Sequence, residues 1–434
     1  MLDFVTVGII GIVVLIGLFF TRIAVAYALA IVGVAGYAVL TDTSAALTLL
    51  SRDVYSVFSS YGLALVPLFV FMGFLAYYAG VSRRLYDMAN KWTGRIRGGL
   101  AMATIAACTA FGAVCGSTTA TAATIGAIAM PEMKRLNFGS RLAAGSVAAG
   151  SGLGILMPPS VILIIYGILT QQSIGKLFLA GIIPAFLITV LFILAIVVYS
   201  ALHPEQGQGG RAFSLGEKLA SIRDIWETLL VFLLVMGGMF FGFFTPTKAG
   251  AVGSFLLLVI VSVQGKLSWP RFVQAVKDTL NVSCMVVMLV TGATIFGHFL
   301  ARSRISFNLA SLVSGLDWPG WAVMGVICLI YLVAGCFIDA LALITLTIPI
   351  FFPIVTNLGY DPIWFGVIIV LITQMGIITP PVGVNAYIVK GIAPDVSLED
   401  IFIGVIPFLI ALLVGTGLMI VYPQLVTFLP ALVR

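Results

Sequence analysis

The sequence predicts an all-α polytopic membrane protein built from two inverted repeats. Three observations predict this fold class: 61% of the 434 residues are hydrophobic and 9% are charged, the apolar residues form runs long enough to cross a bilayer, and part of the chain matches another part of itself. Soluble domains carry about 25% charged residues. The chain therefore has too little polar surface to cover a water-soluble globule. Its five cysteines and two histidines lack metal-ligand spacing, so a transition-metal or redox centre is not expected.

Apolar runs of about 17–25 residues locate the membrane crossings. We expect ten of them, at 4–20, 22–41, 62–80, 142–170, 177–200, 225–244, 247–263, 279–300, 363–390 and 401–422. The first run has no basic residue before it and no small-residue cleavage motif after it, so it is interpreted as a mature span and not as a signal peptide.

Two further apolar stretches, 98–131 and 318–356, are too long for one span and are interrupted by small polar residues. Cytoplasmic loops are rich in Lys and Arg. Five basic residues precede 98–131 and three follow it, so both of its ends are expected on the cytoplasmic side. A re-entrant helical hairpin satisfies this; two short complete spans are the alternative. With two hairpins, 16 basic residues lie inside and 6 outside, and both termini face the periplasm.

An internal repeat becomes visible when the chain is shifted by 222 positions. The shift aligns Gly154 with Gly376 and Pro158-Pro159 with Pro380-Pro381. An odd number of crossings separates the two units, so the second is inverted. Inverted repeats with discontinuous helices are typical of secondary transporters, whose sites lie near the midplane of the bilayer. The expected organisation is scaffold spans in 1–61, a first repeat in 62–200, a cytoplasmic loop with scaffold spans in 201–278, a second repeat in 279–422 and a C-terminal tail in 423–434.

Each repeat is expected to contain a span, a hairpin, a broken helix and a second span. The breaks are predicted within 142–170 and 363–390 because paired prolines remove backbone donors and clash with the preceding turn. The carbonyl groups freed in this way need partners inside the membrane. Three polar residues near the breaks are candidate ligands: Ser160, Thr379 and, more weakly, Asn385.

The two hairpin tips carry the remaining candidates. Asp339 is the one acidic residue expected deep in the membrane, where a carboxylate costs about 2.5–3.5 kcal/mol on insertion scales. Its expected partner is a bound Na⁺ or a coupled proton, or alternatively the backbone amides of the tip. The other tip, 112–121, is rich in hydroxyl groups, which hard cations accept as ligands; close helix packing through small residues is the alternative. No catalytic group set, nucleotide-binding motif or continuous polar stripe is present, so an enzyme, an ATP-driven pump and a channel are not favoured.

These motifs resemble a known family, the large membrane subunit of tripartite ATP-independent periplasmic (TRAP) transporters. The resemblance rests on VPLFVFMG (66–73), RIRGGLAMATI (95–105), FGAVCGSTTATAATIGAIAMPEM (111–133), GILMPPSVILIIYG (154–167), SIGKLFLAGIIP (173–184), GCFIDALALITLTIPIFFPI (335–354), FGVIIVL (365–371) and GIITPPVGVNAYI (376–388). It covers nearly the whole chain. One departure is the turn at Thr21-Arg22, where the family usually has a small or proline-containing turn.

The resemblance implies a Na⁺-driven importer of an organic acid, such as a dicarboxylate or sialic acid, that works in the bacterial inner membrane by an elevator mechanism. It implies a periplasmic substrate-binding protein and a separate small membrane subunit of four helices as partners, and no nucleic acid. A one-component divalent-anion/Na⁺ symporter is the alternative. Two or more Na⁺ sites are implied at Gly116, Ser117, Thr118, Gly154, Gly335, Asp339, Gly376 and Thr379. Substrate contacts are expected at Thr119, Thr121, Pro158, Pro159, Ser160, Pro380, Pro381 and Asn385.

Overall fold

The computed structural model describes residues 3–19, 21, 23–204, 206, 213–305, 307–308, 311 and 318–432. Within them the chain forms α-helices and two short 3₁₀ turns, and no β-strand, so the all-α prediction is confirmed. The helices are α1 (Phe4–Phe19), α2 (Val25–Leu40), α3 (Thr43–Phe58), α4 (Leu65–Tyr78), α5 (Val81–Thr93), α6 (Gly99–Cys115), α7 (Thr118–Arg135), α8 (Ser140–Ser151), α9 (Val161–Thr170), α10 (Ile174–Leu202), α11 (Leu215–Arg223), α12 (Trp226–Phe240), α13 (Pro246–Val263), α14 (Trp269–Arg302), α15 (Gly320–Gly335), α16 (Ala340–Asn357), α17 (Pro362–Gly376), α18 (Val384–Ile392), α19 (Leu398–Val421) and α20 (Gln424–Ala431).

Each expected membrane crossing coincides with a helix or a pair of helices. In the described residues, six helical segments are long and apolar enough to cross a membrane alone: Tyr61–Tyr78, Ile174–Leu202, Pro246–Val263, Trp269–Arg302, Ala340–Asn357 and Leu398–Val421. The turn between α1 and α2 contains Thr21, but Arg22 lies outside the described residues, as do Arg211 and Arg434 of the charge count.

Four helices occupy segments that hydropathy alone leaves as loops or tail, namely α3, α5, α11 and α20. A window average detects uniformly apolar runs, whereas these short helices mix apolar and polar residues. In α5 the buried residues Val81, Leu85 and Ala89 recur at helical spacing and face the core, while Arg83 points to solvent. Helix α20 lies within the C-terminal tail expected at 423–434.

The two broken helices and the two hairpins pack into one large hydrophobic core. Helix α8 of the first broken helix packs against α19 with their backbones in close approach. The contact is made by Gly145, whose Cα faces the backbone of Gly404, and by Gly404, which faces the carbonyl group of Arg141. Side chains larger than hydrogen would not fit there, so glycine sets how closely the first and second repeats approach each other.

A second, smaller core joins α1 and α2 to α14. It is built around Leu15, Leu29, Phe296 and Phe299, which are almost completely buried. Gly33 of α2 lies against the backbone of Phe296, which lets the two helices run in close contact. Helices α1, α2 and the later part of α14 therefore form a packed unit, against which residues of α16 in the second hairpin also pack.

Candidate functional site

The two hairpin tips are built in the same way. Helix α6 ends at Cys115 and α7 begins at Thr118, with Ser117 as the N-cap; α15 ends at Gly335 and α16 begins at Ala340, with Asp339 as the N-cap. Ser117 Oγ accepts a hydrogen bond from the backbone N–H of Ala120 (3.4 Å), and Asp339 Oδ2 accepts one from that of Leu341 (3.0 Å). Ser117 and Asp339 are 222 positions apart and are equivalent in the repeat.

The two breaks interrupt their helices at the paired prolines. Helix α8 ends at Ser151, a 3₁₀ turn follows at Gly152–Ile155, and α9 begins after Ser160. The second broken helix ends α17 at Gly376 and resumes as α18 at Val384. Both Pro-Pro peptide bonds are cis. Several backbone carbonyl groups at these breaks have no helical N–H partner, which leaves them free to contact a ligand.

Each tip lies directly on the break of its own repeat. A Cβ atom on Gly112 would lie 2.6 Å from Cα of Gly154, and a Cβ on Gly376 would lie 2.6 Å from the carbonyl carbon of Gly335. Carbon atoms normally approach to about 3.5–4.0 Å, so each tip and break touch backbone to backbone. The structure thus brings the predicted ion-binding residues together in two equivalent clusters, one for each repeat. Gly116, Ser117, Thr118 and Gly154 form one, and Gly335, Asp339, Gly376 and Thr379 form the other.

The two tips border one cavity of about 410 Å³, called here the tip cavity, which Gly116, Ser117, Thr118 and Asp339 line. Its walls are the first tip, the second tip, the start of α9 and two helices of the smaller core. The lining residues are Ala24, Val25, Ala26, Gly116, Ser117, Thr118, Thr119, Ile155, Val161, Ile162, Val282, Met285, Leu289, Asp339, Ala340, Leu341 and Ala342.

Four helices begin at the tip cavity. The first turns of α2 (from Val25), α7 (from Thr118), α9 (from Val161) and α16 (from Ala340) all contribute to its lining. The first N–H groups of a helix lack intrahelical partners, and the helix dipole places a partial positive charge there. The described lining residues include no basic side chain, and Asp339 is the charged one among them. An anion in this cavity would meet the positive ends of four helices and the carboxylate of Asp339, and no basic side chain of the described lining residues.

A second cavity of about 470 Å³, called here the side cavity, shares part of its wall with the tip cavity. The two share Ser117, Thr119, Val161 and Val282. Its other walls come from α4, from the first hairpin and from the start of the apolar part of α14, and they are largely apolar. The lining residues not shared are Val70, Gly73, Phe74, Tyr77, Tyr78, Phe111, Cys115, Ala120, Ala123, Thr124, Asp278 and Ile388.

Some of the residues expected at the substrate site line neither of these cavities. Thr121 is buried and donates its hydroxyl hydrogen to the carbonyl of Ser117 (2.7 Å). Ser160 is also buried; it caps α9 and donates to the carbonyl of Ile155. Asn385 lies in the core, where its Nδ2 donates to Ser151 Oγ (2.9 Å) and to a backbone carbonyl of α8.

The second break faces a different side of the molecule. Thr379 Oγ1 donates to the carbonyl of Met375 (2.6 Å), and Thr379 and Pro380 border a separate, mainly apolar depression against α19. The prolines Pro158, Pro159 and Pro381 contribute through the conformation of the break and do not line the tip cavity.

Two features of the region were missed by sequence reasoning. The start of α2 forms a wall of the tip cavity although it lies outside both repeats. Gln374 is fully buried without a hydrogen-bond partner for either amide atom, and its Cγ lies 2.6 Å from where a Cβ of Gly152 would be. The 222-residue shift pairs Gly152 with Gln374, so the repeat alignment contained a signal for this contact. No feature of the sequence predicts that the start of α2 lies at the tip cavity.

Comparisons with known proteins show which family the chain is similar to. The sequence model of the family described as "Tripartite ATP-independent periplasmic transporter, DctM component" matches residues 12–425. The chain is 35% identical over 372 residues to the C4-dicarboxylate TRAP transporter large permease protein DctM of Pseudomonas aeruginosa, covering 86% of this chain and 85% of that one.

The names of two other relatives give different substrates. The chain is 32% identical over 418 residues to the sialic acid TRAP transporter large permease protein SiaM of Vibrio cholerae, covering 96% and 97% of the two chains. It is 31% identical over 369 residues to the ectoine TRAP transporter large permease protein TeaC of Halomonas elongata, covering 84% and 85%. Among solved structures, the YdaH transporter of Alcanivorax borkumensis has a similar fold, with a TM-score of 0.65 at 16% identity over 89% of this chain and 91% of that one.

Proposed function

Because the chain belongs to the DctM component family of tripartite ATP-independent periplasmic transporters and is thus a large permease subunit, we propose that it imports an organic acid together with Na⁺. Large permeases of this family work with a small permease subunit and a periplasmic binding protein. This tripartite organisation favours the present proposal over a one-component anion symporter. Secondary transport in the bacterial inner membrane agrees with the many apolar helices.

The proposal that the substrate is an organic anion rests on one observation: four helix N-termini meet at the tip cavity. Each N-terminus corresponds to roughly half a positive charge, and its effect is strongest where water is excluded. A carboxylate bound there would be held by backbone N–H groups. Since the described lining residues include no Arg or Lys, the helix ends replace the basic side chain that would otherwise pair with an organic acid.

Asp339 supports the coupling to Na⁺. Its carboxylate faces the same cavity, and two negative charges about 7 Å apart repel by about 2 kcal/mol at an effective dielectric constant of 20. A cation bound between the second tip and its break would neutralise Asp339 and remove this repulsion. Cation and anion would then strengthen each other's binding, as symport requires. Backbone carbonyls at the breaks and the hydroxyls of Ser117 and Thr118 are further oxygen ligands suited to Na⁺.

The packing supports an elevator mechanism. The hairpins and breaks share a large core to which α12 and α13 also contribute, whereas α1, α2 and part of α14 form a second core. In the proposed mechanism the hairpins and breaks move past α1, α2 and α14. In our topology both hairpins are re-entrant and both termini are periplasmic. The tips lie beside Val25 and Val282, near the ends of α2 and of the predicted span 279–300 that we place at the cytoplasm. This arrangement corresponds to an inward-facing state.

The small subunit is proposed to be a separate chain that binds the helices outside the repeats, in 1–61 and 225–263. These helices expose large apolar side chains, including Val13, Ile31, Val39, Leu233 and Phe255. In the bilayer such a surface contacts either lipid or another membrane helix.

The experiment that tests the proposal is uptake into proteoliposomes that contain the chain, its small subunit and its binding protein. Radiolabelled C4-dicarboxylate, sialic acid and ectoine, the substrates named for the relatives, are offered with an inward Na⁺ gradient. We expect uptake of an acid that stops when choline replaces Na⁺. Uptake that continues in choline with a proton gradient alone would overturn the Na⁺ assignment.

A matched pair of variants tests Asp339. Asp339→Asn keeps an oxygen that can accept the hydrogen bond from Leu341 but removes the charge, so we expect uptake to fall by more than tenfold while the protein remains assembled. Asp361→Asn is the control, because Asp361 also caps a helix, accepting from the N–H of Trp364 (2.8 Å), but lies outside the cavity. Equal activity of the two variants would refute a coupling role for Asp339.

A further inference from the structure

The side cavity has one charged side chain among its described lining residues, the carboxylate of Asp278. Asp278 lies on α14, one helical turn before Val282, which lines both cavities. The carboxylate therefore lies close to the wall that the two cavities share. The proposed transport reaction assigns no role to it.

Neutral groups hold Asp278 in place. Tyr78 Oη donates to its Oδ2 (2.6 Å), and Gln274 Nε2 donates to its Oδ1 (3.0 Å). No basic side chain of the described residues forms an ion pair with it. Arg84 and Lys266 are paired with the buried Glu227. The negative charge of Asp278 is thus fixed at the cavity wall and is not cancelled by a partner.

We propose that Asp278 makes the side cavity unfavourable for anions and favourable for cations, and is thereby a specificity-determining residue for the ions that occupy this cavity. This inference rests on the proposed function for its meaning, because the substrate proposed there is an organic anion and the coupling ion is Na⁺. Sodium ions in the side cavity would experience the opposite effect. Asp278 differs in this respect from Asp339, which lines the tip cavity and is the proposed partner of a bound cation.

The size of the effect follows from the dimensions of the cavity. A sphere of 470 Å³ is about 10 Å across, and at that separation one charge changes the concentration of a monovalent ion by about threefold at an effective dielectric constant near 50. The effect has opposite signs for anions and cations. Their ratio should therefore change by about tenfold when the charge is removed.

The test measures this potential directly and needs no knowledge of the substrate. Ala123 lines the side cavity on α7 and is exposed to it. In a chain whose five native cysteines are replaced, Ala123→Cys therefore introduces a reactive thiol into the cavity with little change in side-chain size. The purified large subunit with its small subunit is treated with two methanethiosulfonates, the anionic sulfonatoethyl and the cationic trimethylammonioethyl reagent. The ratio of their reaction rates cancels differences in access and reports the local potential.

Asp278→Asn should raise the anion-to-cation rate ratio at the introduced reporter thiol about tenfold, and the difference should shrink in high salt. Tyr78→Phe, which removes a hydrogen bond but keeps the charge, should leave the ratio close to its original value. Lys277→Gln, which changes the charge at the adjacent exposed position outside the lining, should shift it less than twofold. An unchanged ratio in Asp278→Asn, or an equal shift in Lys277→Gln, would overturn the inference. Either result would leave the Na⁺-driven uptake experiment unaffected, so the two proposals can fail separately.

Discussion

The contact between the second hairpin tip and its break can be tested by adding a single methyl group. In Gly376→Ala the new Cβ would lie 2.6 Å from the carbonyl carbon of Gly335, 2.7 Å from its Cα and 2.9 Å from the carbonyl oxygen of Leu332. All three atoms belong to the backbone, so no side-chain rotation relieves the overlap. A normal carbon contact needs about 3.5 Å or more, which means that the tip must withdraw by about 1 Å.

The expected magnitude follows from this overlap. Overpacked cores typically lose 1–3 kcal/mol, and a rigid backbone contact belongs near the upper end, at about 2–3 kcal/mol. If the docked tip is the form that binds Na⁺, this loss weakens Na⁺ binding by about 30- to 150-fold. The assay is the rise in thermal unfolding temperature of the purified complex as NaCl replaces choline chloride, from which the half-saturating Na⁺ concentration is read.

Two further alanine variants should weaken Na⁺ binding less than Gly376→Ala does. Gly335→Ala addresses the same contact from the other side, but its nearest neighbour, Cα of Gly376, is 3.3 Å away, so its effect should be clearly smaller. Gly325→Ala, in the same hairpin, meets nothing within 4 Å and should bind Na⁺ as the unmodified protein does. If all three variants required the same Na⁺ concentration, the tip-on-break contact would have no part in ion binding.

Two predictions concern the polar face that we place in the cytoplasm. Glu227→Gln should lower stability by about 2–4 kcal/mol in thermal unfolding, because it leaves two cations beside a buried site without their counter-charge; Asp224→Asn, at a more exposed and longer ion pair of 3.8 Å, should change it by less than about 1 kcal/mol. The hydrogen bond from Lys134 holds the pKa of Asp395 below its usual value of 3.8, so the stability it contributes is fully present above that value and is lost as the pH falls through the lowered pKa. The difference in unfolding temperature between the native protein and Asp395→Asn should accordingly stay constant from pH 8 to 5 and shrink only below about pH 4; a difference that disappeared between pH 7 and 5 would contradict this.

The parts of the fold predicted from sequence are those that depend on local chemistry. Uniformly apolar runs identify the long helices, and the pairs Pro158-Pro159 and Pro380-Pro381 locate both breaks because proline cannot continue a helix. The tips were likewise found where glycine and a capping residue interrupt an apolar stretch, so that α7 begins beside Ser117 and α16 beside Asp339.

The features that the sequence did not predict depend on contacts between distant segments of the chain. The amphipathic helices α3 and α5 fall below a hydropathy window because half of each surface is polar. The tip cavity includes the start of α2 only because α2 packs along α14, which no local pattern reveals. Thr121 and Asn385 look like ligands by composition, but the structure engages their side chains in hydrogen bonds away from the cavity.

The internal repeat helps to separate the structural role of Asp339 from its functional role. Ser117 occupies the equivalent position, caps the equivalent helix and accepts a hydrogen bond from the helix N-terminus as Asp339 does. Capping alone thus needs no charge, since a neutral hydroxyl performs it in the first repeat. The charge of Asp339 is therefore not needed for the cap. Its side chain is exposed at the tip cavity, where a bound cation of the kind we propose would neutralise it.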